Sequence, residues 1–187
     1  MKVKIWSDVR CPFCYIGKRK FESALEQFPH KDNIEVEWKS FELDPTLRTE
    51  PGVNALDHLA SQKGISREQI DQMTGYAAQA GRQVGLTLNF DKSVVANTFQ
   101  AHRLVQLAKT KGLGSEIEEL LFKAHFTDGL NIDDAEVLRD LGVSAGLEAE
   151  EVHRVLQSNE FADEVRKDQM EARSMGISGV PFFLFND

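Results

Sequence analysis

The chain has 187 residues, enough for one well-buried core or for a small domain carrying an insertion. Its hydrophobic content of 41% is ordinary for a globular protein, so disorder is not expected. The net charge of −8 is spread along the chain rather than gathered in tails, which argues against a grip on nucleic-acid phosphates.

Residues 2–7, KVKIWS, alternate in polarity and predict a strand. No apolar leader with a cleavage site precedes it, and no run of about 18 apolar residues occurs anywhere, so no membrane span is expected. A cytoplasmic location is the expectation. The stretch DVRCPFCYIG, residues 8–17, then holds both cysteines of the chain. In a reducing compartment a lone pair of this kind is more often catalytic or metal-binding than a structural staple. A helix is predicted over 12–28, with Phe21, Leu25 and Phe28 as its apolar stripe and Pro29 as its stop. Residues 34–41, IEVEWKSF, alternate clearly, with Ile34, Val36 and Trp38 on one face and Glu35, Glu37 and Lys39 on the other. A β-α-β unit of this length implies parallel strands.

After ELDPTL the pattern changes. Residues 54–157 have helical period almost throughout, and roughly five helices are expected from the punctuation at Gly81, Gly85, Gly112, Gly129, Gly142 and Gly146. Ser66 with Gln69, Ser115 with Glu118 and Asp133 with Glu136 read as capping boxes or close variants. A further helix over 159–175 stops at Gly176, and GVPFFLFND predicts a strand at 181–185. The division expected is an N-terminal β-α-β part over 1–50, a helical insertion over 51–157 and a C-terminal part over 158–187. Asn186-Asp187 reads as the start of a hairpin turn, so the sequence is expected to omit a C-terminal hairpin strand and helix.

Pro12 suits the first position of a helix, which puts Cys11 at or beside the N-cap. There its sulfur meets unpaired backbone N–H groups and the positive end of the helix dipole. Such settings lower a thiol pKa from about 8.5 into the range of about 3.5–7.5. Cys14 is one turn on, deeper, and within reach. This asymmetry makes Cys11 the nucleophile and Cys14 the resolving thiol, with Pro12 and Phe13 setting the environment of the leaving sulfur. Val180-Pro181, between a helix-ending glycine and a strand, is a candidate cis peptide.

Three stretches carry a resemblance: SDVRCPFCYIGKRKFESAL, NTFQAHRLVQLA and ISGVPFFLF. The chain resembles the DsbA-like thioredoxin-fold proteins, in the FrnE-type dithiol oxidoreductase or isomerase branch, kin to 2-hydroxychromene-2-carboxylate isomerase and kappa-class glutathione transferase. The resemblance implies an α/β thioredoxin fold with a large all-helical insertion, thiol–disulfide chemistry, and a cis Pro181 facing the CPFC loop. Val180 would then offer backbone to a bound substrate segment. The isomerase and transferase kin carry serine at the first cysteine position and use glutathione, whereas this chain has both Cys11 and Cys14.

The blander readings are weighed beside these. Zinc needs two more ligands, and His30, His58, His102, His125 and His153 are scattered, so no metal is expected. His102, on the NTFQAHRL helix, is a substrate-site candidate that reads more simply as a packing or surface residue. Asn97 either orients a substrate group or caps that helix. Trp6 and Trp38 read as core. Phe99, Leu104, Phe122 and Phe126 read as core or as the lining of an apolar groove. Asp8 reads as an exposed strand-end carboxylate, with proton relay as the sharper alternative.

Three functions therefore compete. The first is a thiol–disulfide oxidoreductase or isomerase acting on a thiol- or disulfide-containing protein or small molecule, with no resident cofactor. The second is a glutathione-dependent isomerase or transferase for a small aromatic or polyketide-like substrate, with glutathione as co-substrate. The third is a binding module whose thiols sense oxidation. Substrate, redox direction and oligomeric state are not legible in the sequence.

Overall fold

The computed structural model describes residues 1–186. β1 (Lys2–Ser7), α1 (Pro12–Glu26) and β2 (Glu35–Ser40) form the β-α-β unit. β1 and β2 run parallel, in register from Lys2 opposite Glu35 to Ser7 opposite Ser40. β3 (Phe182–Phe185) pairs antiparallel with the other edge of β1, Val3 opposite Phe185 and Trp6 opposite Phe182. The order β2-β1-β3 makes β1 central, with both edges hydrogen-bonded, and it buries Val3, Ile5, Trp6 and Ser7 on alternate faces. Val3 and Ile5 enter the main core with Leu104 and Leu107. Trp6 points the opposite way, against Ala172 and Ile177, and its indole N–H donates to the Asp168 carbonyl at 3.1 Å.

The helical layer holds α2 (Ala55–Lys63), α3 (Arg67–Arg82), α4 (Phe99–Thr110), α5 (Gly114–Lys123), α6 (Ala135–Ser144) and α7 (Ala149–Gln157), and α8 (Ala162–Ser174) leads back to the sheet. The architecture is a small sheet with a large helical insertion. α4 runs through its centre and buries every residue from Ala101 to Ala108. Such a helix carries polar residues only where partners await them. Arg103 is an example: it donates to the carbonyls of Ser158 (2.6 Å) and Glu160 (2.8 Å), beyond the end of α7.

Several details differ from the sequence expectations. The described residues hold six α-helices between 54 and 157 instead of five, because Gly64, with a left-handed backbone, ends α2 before α3 begins, while not every glycine counted as punctuation breaks a helix. Gly81 and Gly142 lie inside α3 and α6, where a Cβ would come within 3.0 Å of Leu88 and 2.8 Å of Val152. These two let helices and loops approach closely. Ser66 and Gln69 form a complete capping box. Ser115 does not, since it lies inside α5, whose N-cap is Leu113. Asp134, not Asp133, caps α6 by accepting from the N–H groups of Glu136 and Val137. α1 ends at Glu26, and its fully buried face carries Cys14, Tyr15, Ile16 and Lys18. Phe21 is half-buried against Phe183, while Phe28 is 43% exposed. The stripe moves because Tyr15 stacks on Phe122 of α5 at 4.9 Å, drawing the N-terminal half of α1 inward. The hairpin turn expected at Asn186-Asp187 includes Asp187, which lies outside the described residues. Among the described residues no helix is long and apolar enough to cross a membrane.

Candidate active site

Cys11 is the N-cap of α1, with extended backbone (φ −94°, ψ 112°) and Pro12 directly inside the helix. Its carbonyl accepts from the N–H of Cys14 at 3.1 Å. The thiol is pulled below its ordinary range, first by a hydrogen bond from the Cys14 thiol, then by the backbone N–H groups of Cys14 and Phe13, which together outweigh burial. Cys14 is driven the other way: burial pushes its thiol well up, and the neighbouring Cys11 sulfur adds to the shift. Both cysteines are free. Cys11 is 6% exposed and Cys14 1%, and only Cys11 lines the adjoining cavity.

The Cys11 thiol also lies 3.6 Å from the carbonyl oxygen of Val180. The Val180-Pro181 peptide is cis. Pro181 rests on α1, its Cγ only 3.1 Å from where a Cβ on Gly17 would sit. The loop before β3 is thereby held against the start of α1.

A cavity of about 510 Å³ opens beside Cys11. Arg10, Pro12 and Phe13 form its near side, Leu56 and Leu59 of α2 with Met73 and Ala77 of α3 one wall, and Val94, Val95 and Phe126 the other. Phe13 stands at the rim, 44% exposed, with its ring 6.3 Å from that of Tyr76. Phe126 and His125 reach the cavity from a π-helical turn, Ala124–Asp128, that follows α5. A π turn is uncommon and recurs at functional sites.

Behind the cysteines lies a buried polar group. Asp8 is fully buried, which corrects the expectation of an exposed strand end. Its carboxylate accepts from the Leu43 N–H at 2.8 Å and lies 3.4 Å from His102 Nε2. Burial opposes the charge on Asp8, but the His102 imidazole and the Leu43 N–H hold its pKa below the usual value. Burial likewise opposes protonation of His102, and Asp8 outweighs it and raises the pKa. Glu118, also buried, is pushed up to about 7 by desolvation.

Of the residues singled out in the sequence, Cys11, Pro12 and Phe13 line one opening, Cys14 lies sealed beneath Cys11, and Val180 meets Cys11 through its carbonyl, with Pro181 resting on α1 at Gly17. Asn97 and His102 lie elsewhere. Asn97 uses both ends of its amide on the backbone, accepting from Phe99 N–H at 2.8 Å and donating to the Leu47 carbonyl at 2.9 Å. His102 sits on α4 beneath Asp8, fully buried. Trp6, Trp38, Leu104 and Phe122 are core, and Phe99 lies under the Arg166 guanidinium. Arg10, His125 and Glu118 were not singled out as site residues. Glu118 and His125 share the buried stripe of Phe122, at the i−4 and i+3 positions, and that spacing is the signal that points to them. Among the described residues no group of three or more His, Cys, Asp or Glu side chains is placed to hold a metal ion.

A parallel strand–helix–strand start, a cysteine pair at the helix entrance, a helical insertion and a cis Val180-Pro181 peptide whose Val180 carbonyl meets Cys11 together define a thioredoxin-type protein of the DsbA kind. The chain belongs to the DSBA-like thioredoxin domain family, whose model matches residues 2–187. It is similar to a probable DsbA oxidoreductase from Streptomyces coelicolor, with 40% identity and a TM-score of 0.91 over 98% of this chain and 79% of that one. It is also 29% identical to the uncharacterised protein YwbO of Bacillus subtilis (strain 168), over 99% of this chain and 86% of the relative. A 2-hydroxychromene-2-carboxylate isomerase shares the fold at 15% identity, with a TM-score of 0.74 over 100% of this chain and 86% of that one.

Proposed function

We propose that the chain is a thiol–disulfide oxidoreductase or isomerase that works in the reducing cytosol, with Cys11 as nucleophile and Cys14 as resolving thiol. The observation that carries this reading is the placement of two sulfurs one turn apart, Cys11 as the helix N-cap at the cavity and Cys14 sealed beneath it. The lowered thiol is the one that borders the cavity, and the raised one lies beneath it. The 40% identical Streptomyces protein, a probable DsbA oxidoreductase, supports it.

In the reducing direction the Cys11 thiolate attacks one sulfur of a substrate disulfide. The S–S bond breaks, the other sulfur leaves as a thiolate and takes a proton, and a mixed disulfide remains on Cys11. Cys14 then loses its proton and attacks Cys11, releasing the second substrate thiol and leaving Cys11–Cys14 oxidised. Two electrons have passed from the protein dithiol to the substrate. The reverse sequence oxidises a substrate dithiol. Because about 30 mV is a tenfold change for this couple, the potential of the pair decides the direction. Pro12 and Phe13 shape the approach, and the Val180 carbonyl marks where substrate backbone lies. Asn97 and His102 touch no substrate in this reading: Asn97 holds its own stretch of backbone and His102 supports the buried Asp8. No resident cofactor is required.

Replacing Cys11 by Ser is expected to abolish dithiothreitol-driven insulin reduction, and an unchanged rate would end the reading. A second reading, glutathione-assisted isomerisation or transfer on a small aromatic substrate, is favoured by the apolar cavity. It predicts saturable binding of glutathione in calorimetry, and flat traces would dismiss it.

A further inference from the structure

The cavity beside Cys11 is apolar apart from a few groups, and three of its lining residues, Arg10, Ser93 and His125, each carry a buried polar atom with no partner among the described residues. Among the described residues no acceptor meets Arg10 Nη1 or His125 Nδ1, and both atoms are buried. His125 is 6% exposed. Burial, reinforced by the nearby Arg10 guanidinium, lowers its pKa to about 4, so it stands as a neutral imidazole. The other charged groups on the lining are Lys63 and Asp44. The Asp44 carboxylate is already engaged, accepting from Thr46 N–H (3.0 Å) and hydroxyl (2.7 Å) and from Gln62 Nε2 (2.7 Å). The lining therefore offers a guanidinium with an unpaired Nη1, an imidazole and the Ser93 hydroxyl inside largely apolar walls.

Arg10 is half-buried, and the Asp8 and Asp44 carboxylates lie near enough to feel its charge, but its buried Nη1 donor is left unpaired, and that cost is relieved by an anion that brings its own acceptors. A volume of about 510 Å³ suits a small molecule, and apolar walls with a few convergent polar groups are the usual form of such a site. The geometry points to a subsite for a compact thiol or disulfide with an apolar body and a carboxylate, the carboxylate lying on Arg10 beside His125. This names the substrate class of the proposed redox site and rests on that reading. The chemistry is the exchange written above: Cys11 attacks the acid's disulfide, one carboxylated thiol leaves, and Cys14 releases the other.

Two measurements separate the subsite from the redox reading. In the first, the reduced full chain reacts in a single turnover, at pH 7 and physiological salt, with 5,5′-dithiobis(2-nitrobenzoate) or with the neutral 4,4′-dithiodipyridine. Arg10→Gln is expected to lower the ratio of the two rates at least tenfold, and Arg10→Lys to restore part of it. Any change in Cys11 ionisation moves both rates together and cancels. An unchanged ratio in Arg10→Gln overturns the proposal. In the second, the Cys11→Ser chain, which lacks the thiol that opens on the cavity, is titrated with benzoate and with benzamide by calorimetry. Benzoate is expected to bind saturably and at least tenfold tighter, with the preference lost on adding Arg10→Gln or His125→Ala. Equal binding, or none, overturns the subsite whatever the thiols do. A failure of insulin reduction beside a retained benzoate preference would instead sink the redox reading.

Discussion

Cys11 and Cys14 are the same side chain in two settings, and their chemistry diverges because one turn of helix separates them. Cys11 meets the free N–H groups at the start of α1, while Cys14 is sealed under it. Alkylation by iodoacetamide reports this directly. Cys11 is expected to react with a midpoint below the ordinary thiol range and Cys14 to stay silent, and a Cys11 profile like that of a free peptide thiol would remove the basis for its role. Glu118 gives a second prediction at this scale. Its pKa of about 7 lies above the ordinary carboxylate value of 4.5. Between those values the unfolded chain sheds the proton and the native chain keeps it. Stability therefore falls as pH rises through that window and levels off above it, by about 3 kcal/mol in all. The raised His102 works in the same sense, its contribution being lost as pH rises through its own folded value. Glu118→Gln is expected to melt close to the parent at pH 5 and higher than it at pH 8. Parallel melting curves across that range would show that the buried carboxyl does not titrate with folding.

The elements were legible where local chemistry speaks. Proline after Cys11, alternation in β1 and β2, and the Ser66 box each act over a few residues, and each element stands where those signals put it. What escaped depends on distance. Asp8 looks like an exposed strand end until Leu43 and His102, from remote parts of the chain, close over it. Gly142 looks like a helix stop until Val152 of α7 needs its space. The π turn that delivers His125 reads as plain helix, because Phe122 and Phe126 keep the i, i+4 spacing. Gly129 ends this turn with φ +71°, and a Cβ there would lie 2.7 Å from the Lys92 carbonyl oxygen. Gly129→Ala combines a left-handed backbone, about 1–2 kcal/mol, with overpacking, about 1–3 kcal/mol. Gly85 shares the positive φ but faces open space, so Gly85→Ala isolates the backbone cost alone. Urea denaturation of both should show the Gly129 variant losing clearly more stability, and equal losses would mean that Lys92 gives way freely.

At the scale of the molecule, the first strands, the helical middle and the last helix meet at one carboxylate. Asp168 of α8 accepts from the Ser40 N–H on β2 at 2.9 Å and from Gln106 Nε2 on α4 at 2.7 Å. It also pairs with Lys39 Nζ at 2.5 Å. Lys39 is 8% exposed. Burial works against its charge, and Asp168 and Glu171 more than compensate, raising its pKa. The sequence shows Lys39 only as the polar side of an alternating strand, because its partner lies on the far side of the helical insertion. Replacing Asp168 by Ala strips three donors of their shared acceptor and leaves the lysine with Glu171 and Glu37, both more exposed. Removing one member of a buried pair costs about 3–5 kcal/mol. The remaining acceptors at Lys39 put the expected loss at the lower end, about 3 kcal/mol. Since the carboxylate joins β2, α4 and α8, that loss should appear as one cooperative transition at lower urea, with far-ultraviolet ellipticity and the fluorescence of Trp6 and Trp38 moving together. Two separated transitions would mean that the helical layer and the sheet fold independently, and that Asp168 only decorates their boundary.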